Sequence, residues 1–247
     1  MSSLILRDID LDLPYKENKP FIEEVINKQG MEEKDAIRFD YEKNWKEKRI
    51  KFRDEIRCIA DLYLHHLGKF QTNETKKVMI NCVERISSEE VKSTSDGFTD
   101  VEVEFDYSAY EKLDNEVKKK LILEKLYEGV LKVAEVFEWD MPLLNRTYQS
   151  VIESNYKNEY IWKQKTSPSK KYTAEIFCQH EIDKYVVTMI IKKKHTNELV
   201  KNEILFIERP HELVFVQHLG NLKWISNTEV ILLNKYNKKK KWQVCIE

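Results

Sequence analysis

The chain has 247 residues, of which 41% are hydrophobic and 34% are charged, so it can bury a core without disulfide or metal staples. Its 42 basic and 43 acidic residues leave a net charge of −1, which excludes a global field that would draw it to nucleic acid or to an anionic membrane. No stretch approaches the roughly 20 apolar residues of a membrane span, and the first residues do not form a secretory signal. We therefore expect a soluble protein of the cytoplasm.

Glycine and cysteine usage exclude several kinds of site. The five glycines are too far apart to form a phosphate-binding loop or a dinucleotide-binding turn, which need closely spaced glycines. The four cysteines, Cys58, Cys82, Cys178 and Cys245, lack the spacing of a zinc site and are expected to be reduced thiols. The sequence predicts no cofactor.

Residues 1–158 are predicted to form a mixed region of strands and helices. In the segment 4–13, Ile9, Leu11 and Leu13 alternate with acids, which is typical of a strand with one wet face. From Asn44 onward apolar residues recur in steps of three and four up to Gly68, which indicates a core-facing helix with a glycine cap. We predict strands over about 4–13, 77–85 and 99–105, and helices over about 21–28, 44–67, 115–137 and 142–156.

The strand predicted over 99–105 carries acids at alternate positions, namely Asp100, Glu102, Glu104 and Asp106. Clustered carboxylates can hold a hard divalent cation. Like charges along one face also discourage pairing at a sheet edge, and we favour this structural interpretation.

From Tyr160 the chain becomes a series of short apolar runs separated by turn residues, which predicts antiparallel strands over residues 159–247. We predict a meander of seven or eight strands, near 159–165, 171–179, 184–192, 199–207, 212–218, 222–225, 229–234 and 241–246. The fold class is therefore α+β. The regions 1–158 and 159–247 either form separate domains or share one core.

Successive turns of an up-and-down meander emerge at alternate ends of the sheet. Counting the turns places the lysine-rich ones together at one end. The resulting candidate partner-binding residues are Lys193, Lys194, Lys239, Lys240 and Trp242. Residues 170–247 carry 14 basic and nine acidic side chains, so this region is basic although the whole chain is not.

The opposite end of the predicted meander collects histidines and acids. His180, Asp183 and His211 could converge there as a divalent-metal site or as a general acid–base pair. The segment lacks the helical spacing of two zinc-binding histidines, and adjacent residues of a strand face opposite ways. We rank this site second.

The leading functional hypothesis is a non-enzymatic protein that binds a protein partner, because no catalytic signature is found and the charge is segregated. Bacterial immunity- or antitoxin-type inhibitors have featureless sequences of this kind, which is an analogy only. One alternative is a metal-dependent hydrolase or nuclease that uses the histidine end. The second is a nucleic-acid binder whose lysine-rich turns contact phosphates, with Trp242, Tyr236 or Trp224 as stacking platforms.

Overall fold

The computed structural model describes residues 4–246 and confirms the predicted α+β class. The chain divides into two compact units, and the boundary between them along the sequence falls between Tyr156 and Lys157. Within the described residues, none of the helices has the length and apolar character of a membrane span.

The described strands of the first unit are β1 (Leu4–Ile5), β2 (Asp8–Asp12), β3 (Gln71–Thr72), β4 (Lys77–Val83), β5 (Lys92–Ser93) and β6 (Phe98–Glu104). Four of them form a mostly parallel sheet with the order β2-β4-β6-β5, in which β5 runs antiparallel to its neighbour. A separate antiparallel pair joins β1 to β3. The predicted strands over 4–13, 77–85 and 99–105 are therefore present, with the first one interrupted.

Helices fill the rest of the first unit. They are α1 (Lys19–Gln29), α2 (Glu33–Asp40), a π-helical turn (Tyr41–Trp45), α3 (Lys46–Leu67), α4 (Tyr107–Tyr110), α5 (Asn115–Phe137) and α6 (Met141–Glu153). The four predicted helices correspond to α1, α3, α5 and α6. Helix α2 was not predicted because it has only eight residues, which is too short for its few apolar positions to show a clear helical period.

The core of the first unit lies between the apolar face of the sheet and the helices. The buried strand residues on this face are Ile9, Leu11, Val78, Ile80, Val101 and Val103. Helix α5 approaches β4 closely at Gly129, where an added Cβ would lie 2.6 Å from the side chain of Ile80. Glycine is required there because any larger residue would push the helix away from the sheet.

The other face of β2 is charged and is matched by helix α3. Asp8, Asp10 and Asp12 pair with Arg57, Arg53 and Arg49 at 3.1, 2.9 and 2.7 Å. Alternate strand residues are about 6.6 Å apart and helix residues four apart are about 6 Å apart, so the two rows stay in step when strand and helix run antiparallel. We call this set the Asp–Arg ladder.

The second unit is a pair of antiparallel sheets that share one core. The strands are β7 (Asn158–Thr166), β8 (Tyr172–His180), β9 (Tyr185–Lys193), β10 (Leu199–Glu208), β11 (Leu222–Trp224), β12 (Glu229–Leu233) and β13 (Lys241–Cys245). The first sheet has the order β10-β9-β8-β7, and the second has the order β11-β12-β13. Residues of both sheets, such as Met189 and Leu232, belong to the same buried cluster.

One predicted strand is wrong. The segment 212–218 forms helix α7 (Glu212–Phe215) and a 3-10 turn (Val216–His218). Phe215 and His218 are buried, as is Leu219 directly after the segment, and this spacing is helical, whereas Leu213 is exposed. The ring of Phe215 stacks on Tyr185 at 3.6 Å, so a contact with a distant strand decides the local structure.

The Asp–Arg ladder yields a prediction for Asp10, which is 2% exposed. Burial raises its pKa, but the charges of Arg57, Lys77 and Arg53 outweigh burial, and the pKa lies below its ordinary value of 3.8. A lowered folded-state pKa stabilises the protein above the unfolded-state value, and this contribution disappears as the pH falls through the folded-state pKa. Asp10→Asn should therefore lower the free energy of unfolding at neutral pH by about 3–5 kcal/mol, because Arg57, Lys77 and Arg53 lose the most buried carboxylate that pairs with them.

Urea unfolding of Asp10→Asn and the parent protein at pH 7 and pH 3 measures this effect. The difference between the two proteins should shrink at the lower pH. Asp8→Asn is the matched control, because the Asp8 side chain is 30% exposed and its loss should cost clearly less. Equal losses for the two variants would contradict the role of burial.

Candidate partner-binding surface

The two ends of the second unit are defined by strand pairing. Thr166, Tyr172 and Lys193 lie at the first end, where Tyr172 is paired with Lys193. Asn158, His180, Tyr185 and Glu208 lie at the second end. The second sheet follows the same division, because the indole Nε1 of Trp224 donates to the carbonyl of Lys165 near the first end, at 2.9 Å.

At the first end the predicted lysines Lys193 and Lys194 come together with Lys171. The backbone N–H of Lys194 donates to the carbonyl of Lys171 at 2.9 Å. Two lysines at this end are paired with acids, since Lys192 contacts Glu175 at 2.7 Å and Lys193 contacts Glu198 at 2.8 Å.

Lys239 and Lys240 lie at the opposite end, so the prediction of one shared lysine surface is wrong. Asn234, which begins their loop, contacts His218 at 3.0 Å, and His218 contacts Glu208 of the second end at 2.9 Å. The physical reason is the helix over 212–218. Because that segment does not cross the sheet as a strand, every later turn emerges at the end opposite to the one obtained by counting.

The tryptophans do not offer free stacking faces. Trp242 is half-buried, with its ring 4.7 Å from Phe206 and 5.3 Å from His218. Trp224 is buried. Of the three predicted stacking platforms only Tyr236 is exposed, at 72%.

His180, Asp183 and His211, the second-ranked candidate, do not form a metal site. His180 is buried, with its Nε2 2.9 Å from the carbonyl oxygen of Pro210 and its ring 5.3 Å from that of Tyr185. His211 caps helix α7, because its Nδ1 accepts from the N–H of Leu213. Over residues 4–246 there is no group of three or more histidines, cysteines or acids that could hold a metal ion. The geometry therefore gives both histidines structural roles.

One of the acids of β6, Glu102, has a structural role. Glu102 accepts hydrogen bonds from the backbone N–H and the hydroxyl of Ser87, at 2.6 and 2.7 Å. These bonds lower the pKa of Glu102 and hold the loop after β4 against the strand. The carboxylate of Glu102 thus stabilises the conformation of this loop.

The loop 234–240 is organised by the side chain of Asn234, which is buried. Its Oδ1 accepts from the backbone N–H groups of Tyr236 and Asn237, at 3.0 and 2.8 Å. This fixes the amide orientation, so Nδ2 donates to Nδ1 of His218. The imidazole proton therefore sits on Nε2, where Glu208 accepts it.

Two backbone contacts fix the loop to its surroundings. The N–H of Lys235 donates to the carbonyl of Gln217 at 2.7 Å, which holds the loop against the 3-10 turn. An added Cβ at Gly220 would lie 2.3 Å from the carbonyl oxygen of Leu233, so this position excludes every side chain. A cavity of about 410 Å³ adjoins the loop, and its lining includes Lys223, Lys235 and Lys238.

One exposed part of this end combines apolar and basic side chains. Leu213 is 82% exposed and Val216 is also exposed, and the 3-10 turn that contains Val216 contacts the loop that carries Tyr236. The segment 235–241 contains no acid. We call this set the basic–apolar surface: Leu213, Val216, Lys235, Tyr236, Lys238, Lys239 and Lys240.

Sequence reasoning found Tyr236, Lys239 and Lys240 but missed Leu213, His218, Asn234 and Gly220. A signal for the turn existed, because Asn234 precedes a polar run after an apolar strand. No sequence signal connects Asn234 with His218, since their contact depends on the packing of both sheets.

Comparison with known proteins adds no identification. No protein-family model matches the chain, and no curated protein or solved structure is significantly similar to it. The functional argument therefore depends on the geometry of the chain itself.

The loop geometry predicts that Asn234→Ala will destabilise the second unit. The substitution leaves two loop N–H groups and the Nδ1 of a buried histidine without their partner, which should cost about 1–3 kcal/mol. Hydrogen exchange at the amides of Tyr236 and Asn237 should become faster, as measured by NMR. Asn237→Ala is the matched control, because the Oδ1 of Asn237 accepts from the exposed N–H of Lys239. An equal effect of both substitutions would argue against a buried anchor.

Proposed function

We propose that the protein works by binding another protein, and that the basic–apolar surface meets an acidic patch of that partner. The observation that carries the proposal is the coexistence of exposed Leu213 and Tyr236 with four lysines on an anchored loop. Large apolar side chains are costly to leave in water, and tyrosine is enriched among residues that dominate binding energy.

Preorganisation supports the same interpretation. The loop is held by Asn234, by the N–H of Lys235 and by the close approach at Gly220. A surface that is already ordered loses less conformational entropy when a partner binds. The lysines would raise the association rate and select an acidic partner, while Tyr236 and Leu213 would slow dissociation.

This proposal includes a functional class and a location. An immunity- or antitoxin-type inhibitor of a bacterial protein works by covering a partner with one preformed surface, and we place this protein in that class, acting in the cytoplasm. The surface supports binding as the activity, with no catalytic step assigned to any of its residues.

Charge reversal at the two lysine-rich ends tests the proposal with a matched control. The loop variant is Lys235→Glu, Lys239→Glu and Lys240→Glu, and the control is Lys170→Glu, Lys171→Glu and Lys194→Glu, which changes the net charge equally. We expect the control to retain a partner captured from native cell extract by the parent protein, and the loop variant to lose it. Thermal unfolding checks that both variants fold.

The purified partner then separates the two contributions. By surface plasmon resonance, the loop variant should associate at least about tenfold more slowly at low salt, and Tyr236→Ala should mainly accelerate dissociation. Unchanged capture by the loop variant would remove the basic–apolar surface from the proposal. Binding of the parent to duplex DNA or RNA that weakens steeply with salt, and that the loop variant loses, would instead favour nucleic acid as the partner.

A further inference from the structure

Strand β10 forms an edge of the first sheet of the second unit. It stands at one end of the order β10-β9-β8-β7, and its pairing partner is β9. Over residues 4–246, no backbone hydrogen bond joins β10 to any element other than β9. Every second N–H and carbonyl group of an antiparallel edge strand points away from its neighbour, so β10 can accept a further strand.

Large apolar side chains along this edge are in contact with water. Leu199 is 57% exposed and Ile204 is 60% exposed. They lie opposite Lys192 and Thr188 of β9, which alternate with the residues of the buried core. Leu199 and Ile204 are therefore on the side of the sheet that faces away from the core. Exposed apolar residues on an edge strand favour pairing with another strand unless charges oppose it.

The core side of β10 carries two opposite charges. Lys201 lies opposite Ile191, and Glu203 lies opposite Met189. Both β9 residues belong to the buried core, so the two charged side chains share one face of β10. Glu203 is exposed and Lys201 is half-buried. Within residues 4–246 neither has an ion-pair partner, in contrast to Lys192 of the neighbouring strand.

We propose that this edge pairs with the same edge of a second copy of the chain, in an antiparallel arrangement with its two-fold axis at Asn202. In this register Lys201 of each copy lies directly opposite Glu203 of the other, with a Cβ separation of about 4.5–5.5 Å. On the other face, Leu199 of each copy comes close to Ile204 of the other. Because both copies use the same edge, the assembly closes at a dimer.

The two charges select both the partner and the register. A charge on an edge strand opposes pairing with a strand that has no counter-charge at the same position. An antiparallel second copy supplies both counter-charges. Moving the axis to position 201 or 203 would place two lysines or two glutamates directly opposite each other, which is unfavourable. The charges therefore discourage other strands and favour a copy of β10.

Two irregularities limit the length of the paired segment. The register between β10 and β9 shifts between Leu199 and Lys201 and again between Ile204 and Phe206. The regular stretch between them, residues 201–204, supplies the central pairs of the dimer. Because this stretch is short, we expect a dimer that forms at high protein concentration and dissociates on dilution.

Sedimentation equilibrium of the full chain, at protein concentrations up to the millimolar range, tests the proposal. The parent protein should dimerise. Lys201→Glu and Glu203→Lys should each raise the dissociation constant about tenfold or more, because both pairs at the axis then carry like charges. The double variant, in which the two charges are exchanged, should regain the parent value. Lys163→Glu on β7, the other edge strand of this sheet, is the matched control for Lys201→Glu and should have no effect.

A mixture of the two single variants distinguishes this register from a general effect of charge. In a heterodimer of Lys201→Glu with Glu203→Lys, each glutamate of one copy lies opposite a lysine of the other. The mixture should therefore dimerise at concentrations at which each variant alone is monomeric. Thermal unfolding checks that all variants fold.

Three outcomes would overturn the proposal. The first is a parent protein that stays monomeric at every concentration. The second is a dimer that neither single variant weakens. The third is a loss of association that neither the exchanged variant nor the mixture restores. Amide hydrogen exchange locates the contact, because protection within residues 201–204 should rise as the dimer forms. A rise confined to other strands would also contradict the pairing of β10.

Discussion

The arrangement of the basic–apolar surface depends on one buried contact, the hydrogen bond between Asn234 and His218. Both side chains are buried, and each makes further hydrogen bonds. Asn234 accepts hydrogen bonds from two loop N–H groups, and His218 donates one to Glu208. In a low-dielectric interior, a polar group without a hydrogen-bond partner raises the free energy of the fold. The arrangement in which Asn234, His218 and Glu208 all have their partners is therefore strongly favoured. That arrangement sets the loop against the 3-10 turn and β10. The lysines and Tyr236 therefore extend from a base whose position is determined by the core of the second unit.

The Asp–Arg ladder applies the same principle in the first unit with charges in place of neutral groups. Ion pairs that are partly withdrawn from water add little net stability, but a wrong pairing would leave a buried charge without a partner. A shift of β2 by one residue would also turn Ile9 and Leu11 toward the arginines. The ladder thus specifies which face of β2 meets the core and in which direction α3 crosses it. In both units polar groups determine one register among the many that apolar packing would accept.

Most elements of the fold could be predicted from the periodicity of apolar residues. Helix α5 and strands β8 and β9 were predictable because their apolar residues repeat with the period of the element that they form. The segment 212–218 was not, because Leu213 and Phe215 also satisfy the period of a strand, and the deciding contact is the stacking of Phe215 on Tyr185. Because the ends of the meander were assigned by counting strands, this single error predicted the wrong end of the second unit for Lys239 and Lys240. The role of His180 was predicted wrongly for a related reason. The sequence predicted the correct end of the sheet for this residue, but its ring is buried against Tyr185.

Lysines at turn tips are normally there because turns are the most solvated positions, so lysine content alone does not distinguish the two ends of the second unit. The two ends differ in what surrounds their lysines. At the first end Lys192 and Lys193 are matched by Glu175 and Glu198, an arrangement that a solvated turn would show without any partner. At the second end Lys235 lies 5.4 Å from the exposed ring of Tyr236, and Lys240 lies 5.3 Å from Trp242. A cation over an aromatic ring keeps its full charge, whereas a cation beside a carboxylate is neutralised. Exposed lysines alone would serve solubility, but lysines next to exposed apolar area form the combination that a macromolecular partner with an acidic, partly apolar patch would complete.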